Sequence, residues 1–368
     1  MRTTSFWPVA LMMLALLLVG CTAPSGSNGS RGETQPPAAR SGGSMLDEVK
    51  ARGRLICGVN DAAPGFGFRQ PNGALAGFDI DYCKAIAAAV LGDASRVEYR
   101  PLVPAQRFTA LQSREIDVLS RNTTWTAQRD GAQAAAFVTP TFYDGQTIMV
   151  RADSPFHRPE DMGDTAICVL TGTTTELNLA SRFATGGIRY QPVPFQDVPT
   201  LQQAFEQERC DGWTADRAQL YGIRSQWPPD KGGPGSLRIF DETFSKEPLG
   251  PAVRDGDQKW FDAVNWIVIA TIQAEEFGID SGNVGQMISS RNPDILRFLG
   301  QPTVQETGKP PAVFDPKVGL PTDFAVRVIT QVGNYKEIYD RNIAPLGVPR
   351  GMNALYTQGG LHYAPPYR

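Results

Sequence analysis

Three polar segments of the sequence have the residue types needed to hold a small charged molecule. The run Thr171-Gly172-Thr173-Thr174-Thr175 combines a glycine, which permits close backbone approach, with hydroxyl and N–H donors that suit an anion. A guanidinium such as that of Arg129 can grip a carboxylate through two parallel hydrogen bonds. The carboxylate of Asp216 can receive an ammonium group. An α-amino acid carries both of the charges that these segments would bind.

Each of these residues also has a purely structural interpretation. Thr173 or Thr174 could cap a helix, and Asp216 could cap the helix that Arg217 would begin. Most arginines lie on the protein surface, and Arg129 could be one of them. The sequence leaves both readings open for each residue, but the three segments together are more specific than any one of them.

An alternation of strands and helices predicts how these segments are positioned. The first series has predicted strands and helices at Leu55–Val59, Tyr82–Leu91, Val97–Arg100, Arg107–Ser113 and Asp117–Ser120. The second series has them at Ala166–Leu170, Glu176–Phe183, Arg189–Val193, Val198–Gln207 and Gly212–Thr214. Two β-α-β-α-β series predict two α/β lobes, each with a mostly parallel sheet flanked by helices. In such sheets ligands lie beyond the carboxyl ends of the strands, where Ser120–Thr124, Thr171–Thr174 and Asp216 follow.

Length and composition limit the classes of protein that remain. A chain of 368 residues corresponds to two domains or one large one. The 35 basic residues are balanced by 38 acidic ones, a formal net charge of −3, which argues against nucleic-acid binding. There are two histidines, His157 and His362, so a histidine-rich metal site is excluded and a Ser-His-Asp hydrolase has almost no candidates. We expect no metal, no cofactor and no catalytic residue.

The N-terminus has the pattern of an export signal. Arg2 precedes an apolar run from Val9 to Val19, followed by Gly20 and Cys21. We expect a signal peptide over 1–20, lipidation of Cys21, and a flexible tether over 21–45 that is rich in Ser, Gly and Pro. The alternative is an ordinary signal peptide cut elsewhere, with Cys21 removed or left free. The expected protein is exported, in the periplasm or at the cell surface, and tethered to a membrane.

Four further cysteines fit an oxidising compartment. Cys57, Cys83, Cys168 and Cys210 allow three pairings into two disulfides. We favour Cys57–Cys83 and Cys168–Cys210 because each pair then lies inside one predicted lobe. Free thiols are the alternative.

Several segments resemble the polar amino-acid-binding proteins of ABC importers, the bacterial extracellular solute-binding proteins of family 3. The resemblance rests on Gly53–Leu55, Gly77–Asp81, Ile116–Val118 and Arg129, and it covers nearly everything after about residue 46. A closer similarity to the general L-amino-acid-binding subgroup rests on Phe108–Thr126, Phe142–Val150, Glu247–Asp262 and Gly359–Pro366. It implies a type II periplasmic-binding-protein clamshell with a C-terminal helical extension. Lobe 1 would comprise 46–145 and 247–368, and lobe 2 would comprise 146–246, with a hinge near Asp144–Met149 and Ser245–Pro251.

The resemblance also implies a role for each site residue. Arg129 corresponds to the family's carboxylate-binding arginine, and Asp216 corresponds to its ammonium-binding aspartate. The other implied contacts to the ligand backbone come from Asn122, Thr124, Thr173 and Thr174. The sequence departs from the family at Ala62, two residues before Pro64, where many relatives have an aromatic residue that stacks on the ligand.

The side-chain half of the site is predicted less directly. Phe66 is the expected substitute for the missing aromatic residue at position 62. Arg121 is expected either to read an acidic or amide side chain or to have a structural role. Trp125 and Trp213 could be pocket walls or ordinary core residues.

The function implied is that of a monomeric substrate-binding component that closes around an L-amino acid and presents it to an inner-membrane permease. Polar, acidic or amide-bearing amino acids are favoured as ligands, and no nucleic-acid partner is expected. Two alternatives remain at the level of sequence. One is a lyase on the same fold, similar to a cyclohexadienyl or arogenate dehydratase, and the other is an amino-acid sensor subunit for a chemoreceptor.

Overall fold

The computed structural model describes residues 43–304 and 308–368. The predicted signal peptide, the lipidation site at Cys21 and the tether as far as residue 42 lie outside the described residues. Two disulfides are present, Cys57–Cys83 and Cys168–Cys210. The favoured pairing is therefore the one in the structure.

The described residues form fifteen strands and twelve α-helices, along with short 3-10 turns. The strands are β1 Leu55–Val59, β2 Ala62–Ala63, β3 Gly67–Arg69, β4 Leu75–Ala76, β5 Val97–Pro101, β6 Val118–Leu119, β7 Ala135–Phe137, β8 Phe142–Asp144, β9 Gln146–Arg151, β10 Ala166–Leu170, β11 Gln191–Phe195, β12 Gly212–Asp216, β13 Leu237–Ile239, β14 Glu247–Leu249 and β15 Ala252–Arg254. The helices are α1 Met45–Arg52, α2 Phe78–Leu91, α3 Arg107–Gln112, α4 Ala127–Gly131, α5 Thr174–Thr185, α6 Val198–Glu206, α7 Arg217–Ser225, α8 Gln258–Glu276, α9 Val284–Met287, α10 Pro293–Phe298, α11 Phe324–Gln331 and α12 Tyr335–Asn342.

Two five-stranded sheets form the two lobes. The first has the order β5-β1-β6-β15-β7, and the second has the order β11-β10-β12-β9-β13. In each sheet three neighbouring strands are parallel and the last two run antiparallel to their neighbours. The sheets are therefore mixed, because the strands that carry the chain into and out of each lobe are inserted beside the parallel core. The two-lobe α/β architecture expected from the sequence is confirmed.

The chain passes between the two sheets twice, at neighbouring points. One passage joins β8 to β9, and the other joins β13 to β14. β8 and β14 pair antiparallel, with Asp144 opposite Glu247. The two passages are therefore held side by side, in the segments where the sequence predicts the hinge.

The C-terminal extension is part of the core of the first lobe. A single apolar cluster runs from Met45 in α1 through α2 and α8 to Tyr367. The Tyr367 ring packs on the rings of Trp266, Phe298 and Phe324. Residues beyond α8 therefore cover the helical face of this lobe and complete its interior.

Candidate functional site

The cavity between the lobes is lined by polar residues from the carboxyl ends of strands in both sheets. Seven of the eight residues predicted to bind a ligand line it: Arg121, Asn122, Thr124, Arg129, Thr173, Thr174 and Asp216. The first four follow β6 in lobe 1, and the other three follow β10 and β12 in lobe 2. The cavity therefore lies where the topology of α/β sheets places ligands.

Arg129 is a buried cation held by backbone groups. Thr126 caps α4 and accepts a hydrogen bond from the backbone N–H of Arg129 at 3.3 Å. The guanidinium donates from Nη1 to the carbonyl of Thr124 at 2.8 Å and lies 5.4 Å from the centre of the Phe108 ring. Burial lowers the pKa of Arg129, and the charges of Glu247 and Asp216 oppose that shift. The surface interpretation of this arginine is excluded, because its side chain is buried and faces the cavity.

Asp216 is a buried carboxylate with an unused acceptor. It ends β12, is 6% exposed, and its Oδ1 atom has no hydrogen-bond partner among the described residues. Its side chain does not cap α7, so the capping interpretation does not hold for this aspartate. Burial raises the pKa of Asp216 well above its usual value, and the nearby carboxylates Glu247 and Asp144 raise it further. A cationic group in the cavity would satisfy this acceptor and lower that pKa.

The threonine turn is both a helix cap and one wall of the cavity. Thr173 caps α5 by accepting from the N–H of Glu176 at 3.2 Å, so the capping interpretation is correct for this residue. The hydroxyl of Thr174 donates to Glu247 at 2.9 Å. Backbone N–H groups in the first turn of a helix have no intrahelical acceptor. The start of α5 therefore brings N–H donors and the positive end of a helix dipole to the cavity.

Asn122 connects the two lobes beneath the cavity. Its backbone has a φ of +28°, a region in which asparagine is tolerated better than most residues. Its N–H donates to Asp79 at 2.6 Å, and its amide donates to Gln219 of α7 at 3.3 Å. Burial raises the pKa of Asp79 to about 7, against the lowering effect of this hydrogen bond and of the Arg121 charge.

Two further arginines place positive charge around the cavity. Arg121 donates from Nε to the carbonyl of Leu102 at 2.7 Å, and burial lowers its pKa to about 10. Arg107 of α3 donates to Thr123 and to the carbonyl of Gly172 at 3.4 and 3.3 Å. Its Nε atom is buried without a hydrogen-bond partner in the described part of the chain. Burial lowers the pKa of Arg107 well below its usual value, and the charges of Arg129 and Arg121 add to that effect.

Three aromatic residues considered for the side-chain half of the site do not line the cavity. Phe66 does not line the cavity, so the role assigned to it is wrong: it is 1% exposed and packs edge-on against Phe78 and Phe142. Phe66 lies in the turn between β2 and β3 and packs in the core beside Phe78, the first residue of α2. Trp213 is also a core residue, packed against Phe205. Trp125 is 42% exposed and stacks on Phe137.

Sequence reasoning missed several residues of the site. Asn60, Arg107, Thr214 and Gln219 also line the cavity. Glu247 accepts hydrogen bonds from Thr124 and Thr174 at its edge. Gln219 and Glu247 acquire their partners at the cavity only through tertiary packing, which no local pattern reveals. Arg107 at the start of a predicted helix facing the strand ends was the one available signal.

Two other searches of the described residues give negative results. None of the helices in residues 43–304 and 308–368 is both long and apolar enough to span a membrane. Within the same ranges no three histidine, cysteine, aspartate or glutamate side chains are grouped so that they could hold a metal ion.

The fold and site define an extracellular-type binding protein with two lobes and a charged cleft between them. The chain belongs to the bacterial extracellular solute-binding proteins, family 3, whose pattern matches residues 55–278. The expected family is thereby confirmed.

Similar proteins are known by sequence and by structure. The general L-amino acid-binding periplasmic protein of Rhizobium johnstonii is 48% identical over 334 residues, which cover 90% of this chain and 95% of that protein. The glutamate/glutamine/aspartate/asparagine-binding protein of Rhodobacter capsulatus is 45% identical, with 90% and 95% covered. A periplasmic binding protein of an ABC transporter from Brucella ovis, solved with glutathione bound, superposes with a TM-score of 0.82 at 42% identity. That superposition covers 89% of this chain and 100% of the other.

Proposed function

We propose that this protein is the extracytoplasmic substrate-binding component of an ABC importer for L-amino acids. The observation that carries the proposal is a pair of opposite buried charges, Arg129 from lobe 1 and Asp216 from lobe 2, that line one cavity. The names of the similar proteins from Rhizobium and Rhodobacter describe amino-acid binding, which supports the same reading.

Each end of the ligand would be held by a different set of groups. The α-carboxylate would receive two hydrogen bonds from Arg129 and further ones from the N–H groups at the start of α5. The α-ammonium would donate to the free Oδ1 of Asp216, and the hydroxyl of Thr124 lies at the edge of the same cavity. A ligand that carries both charges touches both lobes at once, so it stabilises the closed state over an open one.

The role requires no covalent step. Closure removes water from the site, which strengthens the charge-assisted hydrogen bonds, and the closed form is what a membrane permease would recognise. Release of the ligand then needs only that the lobes separate again, through bending of the two passages at β8 and β14. We therefore propose binding without chemical conversion of the ligand.

Acidic and amide-bearing amino acids are the ligands that the charge of the cavity favours. Arg107 and Arg121 add two buried cations to the one that holds the α-carboxylate. A ligand with a second carboxylate or an amide oxygen would give them an acceptor. The Rhodobacter relative is named for glutamate, glutamine, aspartate and asparagine. Glutathione, present in the Brucella structure, also carries a free α-amino acid group at its glutamyl end.

A ligand screen tests the proposal directly. The mature protein is heated with each of the twenty L-amino acids and with their D-enantiomers. Ligands present at about 100 times Kd should add about 2.7 kcal/mol to the free energy of unfolding, because they bind only the native state. We expect the largest rises in Tm with L-glutamate, L-aspartate and their amides. No rise with any amino acid would refute the proposed function.

We also propose that the exported protein is a monomer tethered through lipidated Cys21. The run from Leu18 to Cys21 supports this, since a small residue followed by cysteine ends the apolar segment. Cys21→Ser should release the protein from the membrane fraction into the soluble periplasmic fraction. Membrane association that persists in this variant would refute the tether, and sedimentation of the soluble form tests the monomeric state.

A further inference from the structure

A second cavity, lined in part by Ala62, adjoins the charged one. The charged cavity has a volume of about 30 Å³, which corresponds to two or three water molecules at roughly 10–15 Å³ each. The second cavity measures about 180 Å³ and shares with the first the residues Asn60, Pro104, Arg121 and Leu170. A ligand larger than its charged head group must extend out of the first cavity, and the second is the adjoining space.

A small residue, Ala62, lines the second cavity. Val198 and Pro199, at the start of α6 in lobe 2, line it as well. The same residues line a third cavity of about 410 Å³ that continues along the boundary between the lobes. The space beside Ala62 is thus open at its far end and sets no sharp limit on the length of a side chain.

The lining of this cavity is part apolar and part polar. Leu102, Val103 and Pro104 form one wall and Leu170 faces the same space, and Asp61, Gln106 and Asp197 also line it. Arg121, which is 5% exposed, lies between the two cavities. Among the described residues its terminal nitrogens have no hydrogen-bond acceptor, since only Nε is engaged, by the carbonyl of Leu102.

We propose that this cavity is a subsite for amino acids whose side chain is extended through an amide bond to a second residue. This inference rests on the proposed function, because Arg129 and Asp216 must hold the α-amino acid head. Methylene groups then lie against the apolar wall, and Arg121 receives the amide oxygen or the carboxylate of the second residue. A γ-glutamyl dipeptide has this chemistry: a free α-ammonium and α-carboxylate, two methylenes, an amide and a second carboxylate.

The test compares three ligands that share one head group and differ in length. L-Alanine, L-glutamine and γ-L-glutamylglycine are titrated calorimetrically into the mature protein and into Ala62→Phe, whose ring fills the second cavity. We expect the variant to bind γ-L-glutamylglycine about tenfold or more weakly, the effect of losing one good set of contacts, and to bind L-alanine as the wild type does. Ala51→Phe, an exposed alanine of α1, is the matched control.

The role of Arg121 is tested by changing the ligand. γ-L-Glutamylglycinamide lacks the terminal carboxylate, and we expect the wild type to bind it about tenfold more weakly than γ-L-glutamylglycine, as for a lost charge-assisted hydrogen bond. Equal affinities would refute the contact with Arg121. Ala62→Leu fills less of the cavity and should give an intermediate loss, so it carries the test where the phenylalanine variant does not fold.

The possible outcomes separate this inference from the proposed function. Binding of L-alanine or L-glutamine without binding of γ-L-glutamylglycine would refute the subsite and leave amino-acid binding intact. Equal losses for all three ligands in Ala62→Phe would also refute it, because the cavity would then not discriminate by length. No binding of any of the three ligands by the wild type would refute the proposed function itself.

Discussion

The hydroxyl oxygen of Thr124 lies 3.3 Å from the hydroxyl oxygen of Thr174, although the two residues belong to different lobes. Both hydroxyls donate to the same carboxylate oxygen of Glu247, at 2.5 and 2.9 Å. The Thr124–Glu247 bond is buried. Glu247 therefore fastens the lobes together at the edge of the cavity, next to the point where the chain returns to lobe 1.

Removing the charge of Glu247 should loosen this contact. In Glu247→Gln the two hydroxyls lose a charged acceptor, and hydrogen bonds to charged groups contribute about 1.5–3 kcal/mol each. We expect about a tenfold loss of amino-acid affinity and a larger radius of gyration of the ligand-free protein by X-ray scattering. Glu115→Gln, at an exposed position of lobe 1, is the control. A radius equal to that of the wild type would contradict the fastening role.

Arg129→Ala should abolish measurable binding while the protein stays folded. The variant removes the proposed bidentate partner of the ligand's α-carboxylate, and two charge-assisted hydrogen bonds correspond to a loss of about 100-fold or more in affinity. Calorimetric titration gives the affinity, and circular dichroism checks the fold. Arg189→Ala changes an exposed arginine of lobe 2 and should bind normally. Wild-type affinity in Arg129→Ala would contradict the assignment.

Ligand binding should release protons because of Asp216. Burial and the charges of Glu247 and Asp144 raise the pKa of Asp216, so this carboxylate binds a proton more readily than an exposed aspartate does. An arriving ammonium group lowers that pKa and favours loss of a proton bound there. Affinity should therefore rise as pH increases until Asp216 is fully ionised in the free protein. Titrations in buffers of different ionisation enthalpy measure the released proton. Asp216→Asn should bind weakly, with no such release.

Asp79 should make the protein less stable as pH rises toward neutrality. Burial raises its pKa from 3.8 to about 7, so the folded state holds a proton that the unfolded state has lost over this interval. Stability from this group is present in full below about pH 4 and is lost as pH rises through about 7. Between about pH 4 and pH 7, the free energy of unfolding of Asp79→Asn should therefore rise relative to that of the wild type by up to about 1.4 kcal/mol per pH unit. Urea unfolding across this range measures the free energy of unfolding of both proteins. The same pH dependence in the variant and the wild type would contradict the role of Asp79. Asp153→Asn, at an exposed site, is the control.

Much of the site could be predicted because strand order alone determines it. A helix after β10 and another after β12 bring Thr174 and Asp216 to one sheet edge, and the β6 end brings Asn122 and Thr124 to the other. These two sets of residues line one cavity as soon as the lobes face each other. The sequence did not indicate which side chains meet across the cavity, because Arg107, Gln219 and Glu247 acquire their partners only through tertiary closure.

The wrong prediction for Phe66 has a related cause. The sequence shows an aromatic residue close to position 62. The direction of the Phe66 side chain, however, is determined by the β2–β3 turn and by packing against Phe78. The parallel core of each sheet was predicted, but the antiparallel strands β9 and β15, which the passages between the lobes contribute, were not. Both points concern orientation, which periodicity over a few residues does not determine.

Asn353→Ala should test the contact between the C-terminal segment and the passage at β8. The Asn353 amide accepts from the N–H of Tyr143 at 2.7 Å and donates to its carbonyl at 3.0 Å. Losing both bonds should lower the free energy of unfolding by about 1–3 kcal/mol. Met352→Ala, one residue away and half-exposed, is the control. Equal stabilities of the two variants would contradict the role of Asn353.

The two hydrogen bonds between Asn353 and Tyr143 have a consequence for exchanging segments between members of this family. Asn353 lies beyond residue 278, where the family pattern ends, so a scaffold limited to that pattern has no asparagine bound to both backbone groups of Tyr143. Transplanting the ligand contacts into such a shorter scaffold would carry over the selectivity of the cleft. It would leave behind the contact that holds β8 against the C-terminal segment, at one of the two passages that the proposed closing motion would bend.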